Sequence, residues 1–421
     1  MDVVEAGQRK DAVRCSLSEI RWNTEEEKGA WDCRFVIRHV EIYKGAISKE
    51  RLGIKMEAGS IVESAMTAVG IVVMLCSFWF LSVKRMTADL AVIWEITGMM
   101  LIVMAVISRV CGWGVGLQGM EEPVLIVLGV AGLFAGYQFS LLISSLLMKN
   151  QELAINLSML QGEDRRHQDR EKNLLIILPV KNEEKNIGKV LDQLSQPEMQ
   201  ATADILCIND ASSDASGKII DGYPCVQIEN VFGLGYGSAL QLGYKYAVRN
   251  HYQYVIQMDA DGQHDPCNVP LIYKKLQENC RNGMAPDIVL ASRFMEGSTK
   301  FRVSVWKRFA FGLFRTMIHA VTGRRIADPT TGLQGLSRRA FTYYAKYNNF
   351  DHQYPDANMV MQMLLLGFQV TEMPAVMHAR TDGKSMHSGL EPVRYMLRMV
   401  LSVLTVVFRM KVLKFNAHDL V

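Results

Sequence analysis

Residues 257–266 read Gln257-Met258-Asp259-Ala260-Asp261-Gly262-Gln263-His264-Asp265-Pro266, directly after the apolar run Tyr254-Val255-Ile256. Two carboxylates two residues apart at the end of a strand point to the same side. A third oxygen donor, the Gln263 amide, follows across the turn. Hard divalent cations such as Mg²⁺ and Mn²⁺ are held this way, by one or two carboxylates plus the oxygens of a substrate diphosphate. The competing explanation is an acidic loop that caps the next helix, with Asp265 before Pro266 as the N-cap. These ten residues alone do not separate the two explanations; their surroundings do.

The elements that must position this motif are legible from Asn173 onward. Short β-rich runs alternate with helical stretches, the signature of a parallel sheet with crossover helices. Strands are expected at Leu174–Val180, Ala203–Asn209, Val226–Glu229, Tyr254–Met258, Asp287–Ser292 and Gly367–Met373, with helices at Lys185–Leu194 and Ser238–Arg249. In such sheets ligands sit beyond the carboxyl ends of the strands. The polar motifs fall at those ends: Pro179-Val180-Lys181-Asn182-Glu183-Glu184, Asn209-Asp210, Gly233-Leu234-Gly235-Tyr236-Gly237 and Asp259–Gln263. That shared location makes them one expected site, a nucleotide-sugar pocket. Glu183 and Asp210 could hydrogen-bond a base and ribose, although each alone reads as a helix cap. The glycines at 233, 235 and 237 let the backbone pass close to a ligand. Arg293, after the fifth strand, and Arg308 could neutralise phosphates; a solvated surface position is the ordinary explanation of each singly.

The rest of the 421-residue chain is strongly asymmetric. A formal net charge of +3 argues against a general polyanion binder, so no nucleic acid partner is expected. Eight cysteines without a Cys-x-x-Cys pair suggest neither a zinc site nor a disulfide framework. Three apolar segments, Ile61–Val83, Leu90–Ser108 and Pro123–Met148, are long enough to cross a bilayer. Glu95 interrupts the second, which should therefore turn that face toward another helix. Lys84 and Arg85 in the first loop and Lys149 after the third span place these points in the cytoplasm by the positive-inside rule. The many Lys and Arg residues in 1–55 resist translocation, so Met56 is the expected native start and 1–55 an upstream extension. The expected organisation is then 1–55 extension, 56–148 three-helix transmembrane domain, 149–172 helical linker, 173–385 catalytic domain and 386–421 basic amphipathic interfacial helix. Within the last, the uncharged core Met399–Phe408 is too short to span. Docking of this helix on the catalytic domain is the alternative to a place at the membrane interface. Thr381–Ser388, just upstream, could close over an acceptor.

Order and spacing of the motifs over roughly 173–380 resemble glycosyltransferase family 2. The carriers are Leu178-Pro179-Val180-Lys181-Asn182-Glu183, Asn209-Asp210-Ala211-Ser212-Ser213-Asp214, Gly233–Gly237, Asp259–Pro266 and Ala291-Ser292-Arg293-Phe294. Within the family the resemblance is to the dolichol- and polyprenyl-phosphate sugar synthases. It implies a GT-A fold, an α/β catalytic domain with a Rossmann-like mixed sheet, here preceded by an α-helical transmembrane domain. It also implies a nucleotide-sugar donor, Mg²⁺ or Mn²⁺, and inversion at the anomeric carbon. Carried over residue by residue, Pro179, Lys181, Glu183, Asp210 and Gly235 would contact the donor. Asp259, Asp261 and Gln263 would hold the metal and diphosphate, and Arg293 and Arg308 would face phosphate. Asp328-Pro329-Thr330-Thr331-Gly332-Leu333-Gln334 resembles the acceptor-side stretch of the family, with Gln334 in place of the usual arginine. Asp328 is the candidate base or acceptor-orienting carboxylate, a turn cap being its alternative.

These readings converge on an inner-membrane, multi-pass enzyme with its catalytic domain in the cytoplasm. It is expected to move one sugar from a UDP- or GDP-sugar to a polyprenyl phosphate. A Gln-x-x-Arg-Trp signature of processive synthases is not found. The alternatives are transfer to a hydroxyl of a lipid-linked glycan and a non-catalytic membrane scaffold. A homo-oligomer formed through the transmembrane domain is among the expected partners.

Overall fold

Apolar composition alone dictates the first part of the structure, a computed structural model that describes residues 62–111, 121–162, 172–279, 283–299, 305–346, 348–352, 354–378 and 391–413. Three helices there are long and apolar enough to cross a membrane, within α1 (Val62–Ser82), α2 (Ala88–Cys111) and α3 (Glu121–Gly162). They bury little inside the protein, and large side chains such as Leu75, Met100, Phe134 and Phe139 face outward. Helices α1 and α2 cross at glycines: a Cβ on Gly98 would lie 2.7 Å from the Gly70 carbonyl oxygen. Small residues allow this backbone approach, which is a common way for helices to associate in lipid. As its interruption of the second span predicts, Glu95 turns to a helix, accepting a hydrogen bond from Ser77 Oγ at 2.7 Å. The extension 1–55 and the loop Thr381–Ser388 lie outside the described residues.

The third helix runs unbroken past the length of a span. At 42 residues it is about 63 Å long, roughly twice the hydrocarbon thickness. Its far end becomes part of the catalytic core, where Ala154, Ile155 and Met159 are buried. Lys245 and Glu152 form an ion pair there.

The remaining elements follow in the order β1 (Leu174–Val180), α4 (Ile187–Leu194), α5 (Pro197–Thr202), β2 (Ala203–Asn209), α6 (Ser216–Ile220), β3 (Val226–Glu229), α7 (Tyr236–Arg249), β4 (Tyr254–Gln257), α8 (Asn268–Gln277), β5 (Ile288–Ser292), α9 (Val305–Thr322), β6 (Gln334–Ser337), α10 (Arg338–Ala345), α11 (Ala357–Leu365), β7 (Val370–Pro374) and α12 (Glu391–Lys411). The strands form one seven-stranded sheet of order β3-β2-β1-β4-β6-β5-β7. It is mixed: β6 runs antiparallel to both neighbours, β4 and β5, while the other pairings are parallel. This is the mixed α/β sheet of a GT-A fold, preceded by the apolar helices. Successive residues of β1 enter opposite cores, Leu175 and Ile177 on one face and Leu174, Ile176 and Leu178 on the other. Burial on both faces explains the unbroken apolar run.

The chain order departs from the sequence expectation at β6, a strand absent from the reading above. Its Gly335 sits where any side chain would collide with Ile272 and Leu276 of α8. The sheet therefore accepts helix α8 at close range only because this position is glycine.

The last helix docks on the α/β domain, the alternative weighed for it. Met399, Val403 and Val406 of α12 are buried against the catalytic domain, while Leu397 and Leu404 remain exposed on the other side. Phe408 packs edge-on against Phe78 and Trp79 of α1, and Arg398 pairs with Asp89 of α2 at 2.9 Å. The α1–α2 loop also docks: Lys84 donates to the Asn348 carbonyl. Burial drives the Lys84 ammonium well below its ordinary range, and nearby Arg409 adds to the effect.

Candidate active site

The loops after β1 and β2 are zipped together by short polar side chains. Asn182 adopts φ +54°, a conformation that asparagine tolerates better than most residues. Its Oδ1 accepts from the Ser213 amide at 2.8 Å, and its own amide donates to Ser212 Oγ at 3.0 Å. Glu183 accepts from Asn186 Nδ2 at 2.7 Å, while the Glu183 amide donates to Ser216 Oγ at 2.9 Å. Lys181 crosses to the next strand end, its Nζ 3.0 Å from the Asp210 carbonyl and 3.3 Å from Asp210 Oδ2. Pro179 sits one residue before the end of β1.

Asp210 is buried, and its carboxylate builds the wall of the site. Oδ1 accepts from the Leu234 amide at 2.7 Å and from Asn230 Nδ2 at 2.8 Å, and Oδ2 accepts from the Gly235 amide at 3.0 Å. The carboxylate thus pins the glycine-rich loop across the strand end. Gly235 needs its φ of +92°, and a Cβ on Gly237 would run into the Asp351 carbonyl. The residue between them, Tyr236, donates its hydroxyl hydrogen bond to Asp259 Oδ1 at 2.8 Å. Burial and the adjacent Asp259 charge hold the Tyr236 phenol well above its ordinary range.

The strand tip is fixed from behind. The Asp259 amide donates to Nδ1 of buried His264 at 3.1 Å, and Asp261 Oδ1 accepts from the Gln263 amide at 3.0 Å across Gly262. Asp265 closes the turn before α8, its Oδ1 accepting from the Cys267 amide at 2.8 Å, while the N-cap of that helix is Cys267, with no side-chain cap bond. The Asp259 side chain is 32% exposed, and Gly332 leaves it room: a Cβ there would lie 2.5 Å from Asp259 Oδ2. Among the described residues no group of three His, Cys, Asp or Glu side chains could hold a metal by itself. The donor set of Asp259, Asp261 and the Gln263 amide instead suits a hard cation whose shell is completed by substrate phosphate oxygens.

On the far side of the tip, Arg293 and Asp328 form a two-armed pair. Nε donates to Oδ2 and Nη2 to Oδ1, each at 2.7 Å, and the Arg293 amide donates to Oδ2 at 3.0 Å. Nη2 also donates to the Thr330 carbonyl at 3.1 Å. Among the described residues Nη1 has no hydrogen-bond partner, which leaves that edge of the guanidinium for an anion. Asp328 is wholly buried and also sits beneath the Glu372 carboxylate, which accepts the Asp328 amide at 2.8 Å. Burial works against the Arg293 charge, yet Asp328 outweighs it and raises the guanidinium further. In this geometry Asp328 orients Arg293. Gln334 is buried too, its Nε2 donating to the Thr331 carbonyl at 2.8 Å.

Residues 175–344 match the family model described as glycosyl transferase family 2. The chain carries a domain of that family. An uncharacterized protein of Methanocaldococcus jannaschii is 34% identical over 112 residues, 25% of this chain and 47% of that protein. The chain thus spans about half the length of that relative. Polyprenol monophosphomannose synthase of Mycolicibacterium smegmatis is 24% identical, with 54% of this chain and 86% of the relative covered. Dolichol-phosphate mannosyltransferase of Saccharomyces cerevisiae is also 24% identical, with 58% and 90% covered.

Within the transferase domain the expected residues separate into two sets. Lys181, Asp210, Gly235, Asp259 and, through Tyr236, the glycine loop are joined directly. Arg293 and Asp328 form the opposite wall, and Arg308 stands exposed on α9. Sequence reasoning missed Tyr236 as a contact, although it lies inside the quoted glycine motif. It also missed Asp356, a half-buried carboxylate among whose electrostatic neighbours are Arg293 and Asp259; no motif marks it.

Proposed function

We propose that the protein transfers one sugar from a nucleoside diphosphate sugar to the phosphate of a polyprenyl lipid. The observation that carries this reading is the position of the segment 348–352. It meets the first turn of α7, which follows the glycine-rich loop, on one side, where the Ser238 amide donates to the His352 carbonyl at 3.2 Å. It meets the loop between two apolar helices on the other, through Lys84 and Asn348. These contacts support a site near the apolar helices, where a lipid phosphate would be presented. The relatives named for polyprenol and dolichol phosphates support the same acceptor.

In this reading the loops after β1 and β2 hold the nucleoside, with Lys181 and the Asp210-pinned backbone lining it. Asp259, Asp261 and Gln263 would hold Mg²⁺ or Mn²⁺, which as a Lewis acid stabilises the departing diphosphate. Arg293 offers Nη1 to a phosphate oxygen while Asp328 keeps the guanidinium plane fixed. A lipid phosphate is ionised near neutral pH, so the acceptor oxygen needs little help to attack the anomeric carbon. Attack from the face opposite the diphosphate inverts that centre. Contact between the first loop and the transferase domain supports a common side of the bilayer for both. The positive residues Lys84, Arg85 and Lys149 favour the cytoplasmic side.

The test is incubation of the full chain in membranes with a panel of UDP- and GDP-sugars, undecaprenyl phosphate and Mn²⁺ or Mg²⁺, with lipid products read by mass spectrometry. A glycosylated polyprenyl phosphate is expected from one donor, and Asp261→Ala should abolish it. Product only with a lipid-linked glycan would replace the acceptor assignment, and product from Asp261→Ala would remove the metal assignment.

A further inference from the structure

The proposed function leaves one half-buried carboxylate unused. Asp356 precedes helix α11, and its Oδ2 accepts a hydrogen bond from Tyr395 Oη at 2.7 Å. Tyr395 belongs to α12, the helix that exposes Leu397 and Leu404 and touches the apolar helices. Three further contacts seat this part of α12. The Tyr395 ring packs edge-on against Tyr354 at 5.3 Å, and Arg398 lies over the same Tyr354 ring at 5.4 Å. Asn358 Nδ2 joins Asp351 Oδ2 at 2.8 Å to Ser402 Oγ at 2.9 Å.

Asp356 acts on Arg293 and Asp259 through space, and Arg293 on Asp356 in return. No ion pair joins Arg293 to Asp356 among the described residues. The segment that carries Asp356 also borders the glycine loop: a Cβ on Gly237 would run into the Asp351 carbonyl, and Asn358 Nδ2 donates to Asp351 Oδ2 at 2.8 Å.

We propose that Tyr395 is a positioning residue for the transfer reaction, fixing the Asp356 carboxylate on the acceptor side of the site. The proposal rests on the transfer reading above. Seating of a membrane-facing helix and geometry at the reacting centre are then one arrangement. A buried tyrosine hydroxyl donating to a carboxylate restrains its rotamer, and misplacement of a site group by a fraction of an ångström is enough to slow transfer.

The experiment is a double-mutant cycle on the full chain in liposomes, with Tyr395→Phe, Asp356→Asn and the double variant. Tyr395→Phe keeps the ring on Tyr354 and removes only the hydrogen bond. It should lower kcat/KM for the polyprenyl phosphate about tenfold while leaving the donor KM unchanged. Asp356→Asn should lower it at least as far, and the double variant should be no worse than Asp356→Asn. Effects that multiply, a Tyr395→Phe protein equal to wild type, or a donor KM that moves in parallel with the acceptor each overturn the proposal. If wild type glycosylates only a lipid-linked glycan, the acceptor assignment fails by itself, and the same cycle on that acceptor decides the role of Tyr395.

Discussion

Tyr236 Oη stands 2.8 Å from Asp259 Oδ1 and donates to it, so the glycine loop and the acidic strand tip are one unit. Asp210 completes the unit from the other end by accepting two amides of the same loop. A ligand that orders the loop therefore also orders the carboxylate that would face its diphosphate.

Removing that hydrogen bond should loosen Asp259 without disturbing the fold. A hydrogen bond to a charged group is worth about 1.5–3 kcal/mol. Tyr236→Phe is expected to raise the half-saturating Mn²⁺ concentration several-fold at fixed nucleotide sugar. Titration of activity against Mn²⁺, with melting temperature as control, measures it. A half-saturation equal to wild type would uncouple the loop from the tip.

Gly332 tests the same carboxylate from the opposite side. Its φ is ordinary, but a Cβ would stand 2.5 Å from Asp259 Oδ2, closer than van der Waals contact permits. Gly332→Ala should displace Asp259 and reduce transfer by an order of magnitude or more, about 1.4 kcal/mol per factor of ten. Nucleotide binding measured without metal should stay near wild type. Full transfer activity in this variant would show that Asp259 is free to move aside.

The buried pair on the other wall predicts a separable loss of stability. Asp328→Asn preserves shape but leaves the Arg293 charge uncompensated, which typically costs about 3–5 kcal/mol. The melting temperature should fall and activity should vanish. Replacing both partners, with Arg293→Met and Asp328→Leu, should recover much of the stability and none of the activity. Recovery of transfer in that double variant would show that Arg293 has no part in the reaction.

Legibility of this site in the sequence followed from local order. The strands that carry Lys181, Asp210 and Asp259 are apolar runs ended by polar residues, so their shared sheet end could be read directly. The β6 strand could not. Gln334–Ser337 is four residues long and contains glycine, and its identity comes only from pairing antiparallel between β4 and β5. The Arg293–Asp328 pair spans 35 residues, and no spacing rule connects them. Tyr395, Asp356 and Lys84 escaped for the same reason. Each acquires its role from a helix or loop that folds back from a distant part of the chain. The end of α3 shows the limit from another side: the helical spacing is carried by Leu146, Leu153, Leu157 and Leu160, which stay exposed, while Ala154, Ile155 and Met159 enter the core.

Two half-buried groups near the site give opposite pH dependences of stability. Burial pushes Asp356 up to about 6 from an ordinary 3.8, with the Tyr395 hydrogen bond pulling against it. Between these values the folded protein holds a proton that the unfolded chain has lost, so this group makes stability fall as pH rises. Burial, helped by the Lys84 charge, pulls His352 down to about 4 from 6.5. Between those values the unfolded chain binds a proton that the folded protein refuses, so this group makes stability rise with pH. Over about pH 4–6 the two slopes oppose each other. Asp356→Asn should therefore leave the His352 slope exposed, and its melting temperature relative to wild type should climb from pH 4 to pH 6. His352→Gln should do the reverse. Melting curves in detergent at half-unit steps, plotted as variant minus wild type, decide it; two flat difference plots would mean that neither group titrates in this window.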